Sequence, residues 1–267
     1  MSTKKIFVIL ICIFSLLIVV SGVYLGNYYL TSNRADRNQK EIAQLINNAE
    51  EEASDEVPDS SDVSEDEIRV QQKYRKILEL YPDFAGWITI PGTRIDYPVM
   101  QRIGEGENYF YIDHDQGGEK SSAGTIFITD VYDLQKPSDN IVLYGHNMKS
   151  GIMFHDLLKY REESFYTSTP QFTFNSLYRD GTYEVVAAFY TRVKDDEPSS
   201  DKFFRFYDYV DMDTEEEFNE FYDTCKRISL YEAAPAKYGD EFLTLSTCSY
   251  RIQDGSERFV VVAKRIR

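Results

Sequence analysis

Apolar and polar positions alternate in three different ways along this chain. From Ile6 to Leu30 there is a run of 25 residues with no charged side chain, preceded by Lys4 and Lys5. That length suffices for a helix across a bilayer, and the lysines favour a cytoplasmic N-terminus with the rest of the chain outside. The alternative is a cleaved signal peptide. Its apolar region is shorter, about 7–15 residues, and ends in small residues, of which Val20-Ser21-Gly22 is a passable example. The uncleaved anchor is the expected form. Beyond it, residues 34–49 have Ile42, Leu45 and Ile46 on one side of a short helix. Residues 50–67 hold 10 acidic side chains and no basic one. Such a stretch cannot bury enough apolar surface to order itself, and its like charges extend it. It reads as a solvated stalk; an acidic interaction tail is the other reading. The expected divisions are a cytoplasmic N-terminus at 1–5, a transmembrane anchor at 6–30, an acidic spacer at 31–67 and a folded domain at 68–267.

The domain opens on "SEDEIRVQQKYRKILELYP". Ser64 and Glu67 have capping-box spacing, and Val70, Tyr74, Ile77, Leu78 and Tyr81 recur at helical intervals up to Pro82. The pattern then changes to short β-branched, aromatic or alternating runs. These are GWITIPG, IDYPVM, TIFITD, NIVLYGH, QFTFNS, TYEVVAAFYTRV, FLTLSTC and RFVVVAKRI. Arg179-Asp180-Gly181 reads as a hairpin turn. One further helix is predicted in TEEEFNEFYDTCKRISLY, with Phe218, Phe221, Tyr222, Cys225 and Ile228 on one face. About eight strands with few helices predict a mainly β fold, a closed or nearly closed barrel with peripheral helices.

Charge changes the list of partners more than the fold. Formal net charge is −16, and residues 1–67 carry 12 of the acidic and 5 of the basic side chains. A domain that remains acidic without its spacer is a poor match for nucleic acid, which is bound by neutralising phosphates with Lys and Arg.

The chemistry is concentrated in a few residues. Of three cysteines, Cys12 lies in the apolar run and Cys225 on the apolar stripe of its helix, where a thiol acts as a small hydrophobe. Cys248 ends the strand FLTLSTC on its more polar face, with Phe242, Thr244 and Ser246, opposite the face of Leu243 and Leu245. If the last two strands form a hairpin through Asp254-Gly255, Cys248 lies opposite Arg258 and Ser246 opposite Val260. A buried thiol, a disulfide with Cys225, a metal ligand and a nucleophile are all open to Cys248. No Cys-x-x-Cys or His-x-x-x-His spacing occurs, so no metal or cofactor is expected; Asp113-His114-Asp115 reads as a loop. A nucleophilic thiol needs a base or a cation nearby. Of three histidines, His114 is in a loop and His155 opens a short helix. His146 follows a strand end and is the best-placed partner.

TLSTC with Arg258 ten residues on, and YGHNMKSGIMF about a hundred residues upstream, resemble the class B sortases, membrane-anchored cysteine transpeptidases of Gram-positive bacteria. The resemblance runs from about residue 68 to the end and includes FAGWITIPGTRIDYPVMQ and GTIFITD. The helix-bearing insert before FLTLSTC resembles the class B form over the shorter class A form. The resemblance implies a sortase-like barrel and a set of roles. Cys248 would be the nucleophile that cleaves a C-terminal pentapeptide sorting signal after Thr, through a thioacyl intermediate. His146 would be the acid/base and Arg258 the oxyanion-stabilising residue. Tyr144 and Ser246, and more weakly Asn108, would line the peptide groove. It further implies surface proteins bearing the sorting signal as substrates, a cell-wall precursor amine as acceptor, and a single-pass location with domain 68–267 extracellular. Ser249 stands where some relatives carry an acidic residue. A pilin-polymerising sortase is the alternative within the family, and a non-catalytic adhesin or sensor outside it. Papain-like proteases have the Cys before the His, and caspases place the His about 50 residues before the Cys. Neither fits.

Overall fold

A computed structural model describes residues 3–55, 70–136, 138–194, 198–252 and 255–267. Eight strands close a barrel: β1 (Phe84–Thr89), β2 (Asp96–Gln101), β3 (Ile126–Ile128), β4 (Asn140–Tyr144), β5 (Gln171–Ser176), β6 (Thr182–Arg192), β7 (Phe242–Cys248) and β8 (Glu257–Arg265). Each falls within or against one of the eight runs expected from the sequence. The order around the barrel is β1-β2-β3-β4-β7-β8-β6-β5, with β5 returning to β1. Most neighbours are antiparallel, but β2/β3 and β4/β7 are parallel. A parallel pair needs a long crossover, and the β4-to-β7 connection supplies it with β5, β6 and the helical insert.

The interior is filled by Val, Leu and aromatic side chains such as Val99, Leu143, Val185, Leu245, Phe259 and Val261, all fully buried. The strands are also covered from outside, so apolar and polar positions alternate less than a one-sided sheet requires. Phe242 of β7 packs under Phe218 and Phe221 of α4 (Glu215–Ile228). That helix starts at Thr214 with a reciprocal cap: Thr214 Oγ accepts from Glu217 N while the Glu217 carboxylate accepts from Thr214 N. Phe218, Phe221 and Cys225 are its buried stripe, with Tyr222 and Ile228 packed at the edge, as the spacing predicted.

The helices before the barrel depart from expectation. Residues 34–49 are not a separate short helix. They are the distal turns of α1 (Thr3–Asp55), which runs unbroken from the apolar segment. Ile42 is fully buried against the outside of the barrel, in a cluster with Tyr74, Trp87 and Met100. Packing of that apolar stripe supplies the order that composition alone does not. The Ser64–Glu67 cap falls outside the described residues. The helix expected up to Tyr81 is a 3-10 turn, Gln72–Tyr74, followed by α2 (Arg75–Leu80). A further short helix, α3 (Glu163–Ser168), precedes β5.

Candidate active site

The two parallel strands β4 and β7 are paired residue for residue, Asn140 with Phe242 through Tyr144 with Ser246. Both chains continue past that last pair in step. Gly145 N donates to Ser246 O at 3.2 Å and Thr247 Oγ1 to Gly145 O at 2.7 Å. His146 and Cys248, two residues past the Tyr144–Ser246 pair, therefore leave the sheet at the same end, one strand spacing of about 4.8 Å apart in the ladder direction. On the other side of β7, Cys248 pairs with Arg258 and Ser246 with Val260, the register expected from the hairpin. Imidazole, thiol and guanidinium thus stand in a row on β4, β7 and β8, with the thiol in the middle.

This row lines one wall of a cleft of about 360 Å³, with Tyr109, Ile112, Phe127, Tyr144, Phe206 and Tyr207 among its other residues. A larger depression of about 510 Å³ over α4 has carboxylates and hydroxyls but neither thiol nor imidazole among its lining residues. Among the described residues no carboxylate lines the Cys248 cleft, and its cationic side chain is Arg258, with the His146 imidazole on the other side of the thiol. A guanidinium in a partly apolar cleft favours negative charge developing on a substrate oxygen beside it.

Each group is held by its neighbours. His146 Nε2 lies 2.6 Å from the carbonyl of Ile112. A carbonyl only accepts, so Nε2 carries the proton, and in the neutral ring Nδ1 keeps its lone pair. Gly145 is a close-approach position: a Cβ there would meet Ile126 Cδ1 at 2.4 Å and Phe154 Cδ2 at 2.8 Å. The Cys248 carbonyl accepts from Asn147 Nδ2 at 2.9 Å, and the Asn147 Oδ1 in turn pairs with His155 Nδ1 at 2.8 Å. His155 is therefore a support for the strand end. Arg258 Nη1 donates to Gly255 O at 2.6 Å and to Glu257 O at 3.3 Å, which braces the guanidinium against its own turn. Beside it, buried Glu257 accepts from Ser249 Oγ and pairs with Arg251 Nε at 3.6 Å. Arg251 also stacks on Tyr190, 3.9 Å from the ring centre.

Five of the six residues singled out from the sequence meet in the cleft: Cys248, His146, Arg258, Tyr144 and Ser246. The buried Ser246 hydroxyl has no partner among the described residues, and burial pushes the Tyr144 phenol well above its usual range. Asn108 is elsewhere; its Oδ1 accepts from Asp130 N at 2.9 Å and ties down a loop. The thiols are unpaired, and Cys225 is fully buried, with its thiol pushed well up by desolvation. His114 stacks on Phe110 with 3.8 Å between ring centres.

Asn147, Glu257 and the carbonyl of Ile112 were not anticipated. Asn147 stands next to His146 in the YGHNM motif and Glu257 next to Arg258, so adjacency was the available signal. A backbone carbonyl arriving from a loop 34 residues away leaves no trace in side-chain identity.

A family profile described as Sortase domain matches residues 88–266, most of the chain. The chain belongs to the sortase family. It is 32% identical to Sortase B of Listeria monocytogenes over 201 residues, 74% of this chain and 75% of that protein. The Staphylococcus aureus sortase B–substrate complex matches with a TM-score of 0.72 at 25% identity, covering 89% of this chain and 99% of that one. A sortase B complexed with triglycine matches with the same TM-score, 0.72, at 25% identity, over 88% of this chain and 99% of that chain. The barrel with peripheral helices is the sortase B fold, and the protein is an enzyme, a cysteine transpeptidase of the sortase B type. Sortases are cell-surface enzymes; in this one Lys4–Val23 is long and apolar enough to cross a membrane, as an anchor or a signal sequence.

Proposed function

We propose that this sortase attaches surface proteins to the cell wall. In this reading Cys248 Sγ attacks the carbonyl of a Thr in a C-terminal pentapeptide sorting signal, and a thioester C–S bond replaces the scissile C–N bond. His146 takes the Cys248 thiol proton at Nδ1 and passes it to the departing amine. It later takes one from the incoming amine of a cell-wall precursor, whose nitrogen displaces the sulfur. Arg258 holds the developing oxyanion, with Tyr144 and Ser246 along the peptide. The observation that carries this reading is the row His146–Cys248–Arg258 on three adjacent strands, which offers acid/base, nucleophile and cation to one carbonyl. The substrate and triglycine complexes of the related sortase B structures support a peptide donor and a glycine-like amine acceptor.

Location follows the same reading. The apolar end of α1 is an uncleaved anchor with Lys4 and Lys5 inside the cell and the domain 68–267 outside. Continuity of the helix with the docked turn at Ile42 supports an anchor over a cleaved leader. The test is incubation of the enzyme with a panel of sorting-signal peptides, followed by mass spectrometry of the intact protein. The expected result is an acyl adduct on Cys248 released by glycine peptides as a ligation product. No adduct from any peptide, or an adduct on another residue, overturns the assignment.

A further inference from the structure

Asp115 lies in a surface loop yet is 4% exposed. One carboxylate oxygen closes the loop on itself, accepting from Gly117 N and Glu119 N, both at 3.0 Å. The other reaches out to α1, 3.2 Å from Arg34 Nε and 3.5 Å from Asn38 Nδ2. Arg34 also lies 3.9 Å from Glu119. These are the first turns of α1 beyond the apolar segment. Just before the gripped loop stands Ile112, whose carbonyl accepts from His146 Nε2. The stretch between is short and braced: Ser121 N donates to Asp113 O, Thr125 N to Tyr111 O, and Thr125 Oγ1 to His114 O. Gly124, at φ +58, packs so closely that a Cβ would come within 2.5 Å of Ile112 O. Movement of the Asp115 turn therefore has few ways to relax before it reaches the Ile112 carbonyl.

We propose that the membrane-proximal turns of α1 position the imidazole of His146, acting through Asp115 and the Ile112 carbonyl. Asp115 and Arg34 are positioning residues; neither lines the cleft. The grip sets where the Ile112 carbonyl sits, that carbonyl fixes the Nε2–H tautomer and the ring angle, and Nδ1 is left facing its proton transfers. A buried carboxylate that loses its cation is left with an unmet charge, so the loop shifts to find a partner. The inference rests on the acid/base reading of His146 for its kinetic consequence, but not for its structural one.

The test uses the full chain in detergent micelles with ¹⁵N-labelled histidine, since three histidines give three imidazole signal sets, with His146→Ala for assignment. Asp115→Asn keeps an oxygen for the Gly117 and Glu119 amides but removes the charge that Arg34 meets; Arg34→Ala removes the other partner. In the wild-type chain the neutral His146 ring is expected as the Nε2–H tautomer. Both variants should shift it toward a mixture, with a change also at His114, which lies on the path between Asp115 and Ile112, while His155 stays unchanged and unfolding temperature holds. With a peptide that acylates the wild type, kcat should fall about tenfold with KM within about twofold, and Arg34→Lys should recover part of the loss. Unaltered His146 signals in both variants overturn the proposal, as does a kcat loss matched by an equal loss of folded protein. If no peptide acylates the wild type, the transpeptidase assignment fails and the imidazole spectra still decide this one.

Discussion

Cys248 and Cys225 are the same residue type in opposite surroundings. Cys225 is on the buried stripe of α4, where burial pushes its thiol well up; Cys248 lies in the cleft between an imidazole and a guanidinium. Cys248→Ala is expected to abolish peptide adduct formation in a protein that unfolds normally. Cys225→Ala should leave adduct formation intact and cost about 0.5–3 kcal/mol, measured by chemical denaturation. The two arginines near the thiol divide in the same way. Arg258 pairs directly with Cys248 across the ladder, whereas Arg251 is engaged by Glu257 and Tyr190. Lysine retains charge but loses the planar fork. Arg258→Lys should lower kcat by about 10²–10³-fold, as expected for one lost oxyanion donor, with Arg251→Lys far milder. Near-wild-type turnover in Arg258→Lys, or a larger loss in Arg251→Lys, would remove Arg258 from the mechanism.

At the scale of elements, strands were more legible than helix ends. Eight short runs of β-branched and aromatic residues become eight strands because their pattern is local, and the last two pair antiparallel in the register that places Cys248 against Arg258; of the expected Asp254-Gly255 turn, Asp254 lies outside the described residues. The β4/β7 pairing that brings His146 beside Cys248 is parallel and non-local. No turn announces it, so the sequence links the two residues through the strand-end position of His146 and the family motif, without the pairing itself. For Asn108 a motif position does not say which way an amide faces, and here its Oδ1 accepts from Asp130 N. The helix over 34–49 was visible from Ile42, Leu45 and Ile46, but not its docking, which depends on a barrel surface assembled from Trp87, Met100 and Tyr74. Two truncations test the docking. Deletion of residues 1–33 removes the apolar segment, keeps Arg34 and Ile42, and should yield a folded, soluble, active domain. Deletion of residues 1–55 uncovers the Ile42 site and should lose at least about 1.5–3 kcal/mol, the worth of one buried Ile side chain. Equal denaturation midpoints for the two would mean that the helix adds nothing to the domain.

The whole molecule is a barrel with its candidate row at one end of β4, β7 and β8, and a helix, α1, whose apolar end extends away from the barrel surface. The chain as a whole carries a net charge of −16, yet among the described residues the cleft has Arg258 and no carboxylate in its lining. The acidic exterior discourages polyanions, while the site itself welcomes a developing negative oxygen.

Because α1 has no break between Val23 and Arg34, its apolar end, held in the membrane as proposed above, would act as an axle. Each helical residue adds about 1.5 Å of height and about 100° of rotation, so the compass bearing of the cleft relative to the membrane is a function of residue count. Inserting alanines after Gly26 should swing the cleft around the axle before it lifts it appreciably. Wall attachment of a reporter protein in cells should then fall and recover with a helical period as alanines are added one at a time, whereas peptide cleavage by the purified enzyme should barely change. A smooth decline in the cells, with no return near two full turns, would mean that the domain swivels freely above its anchor.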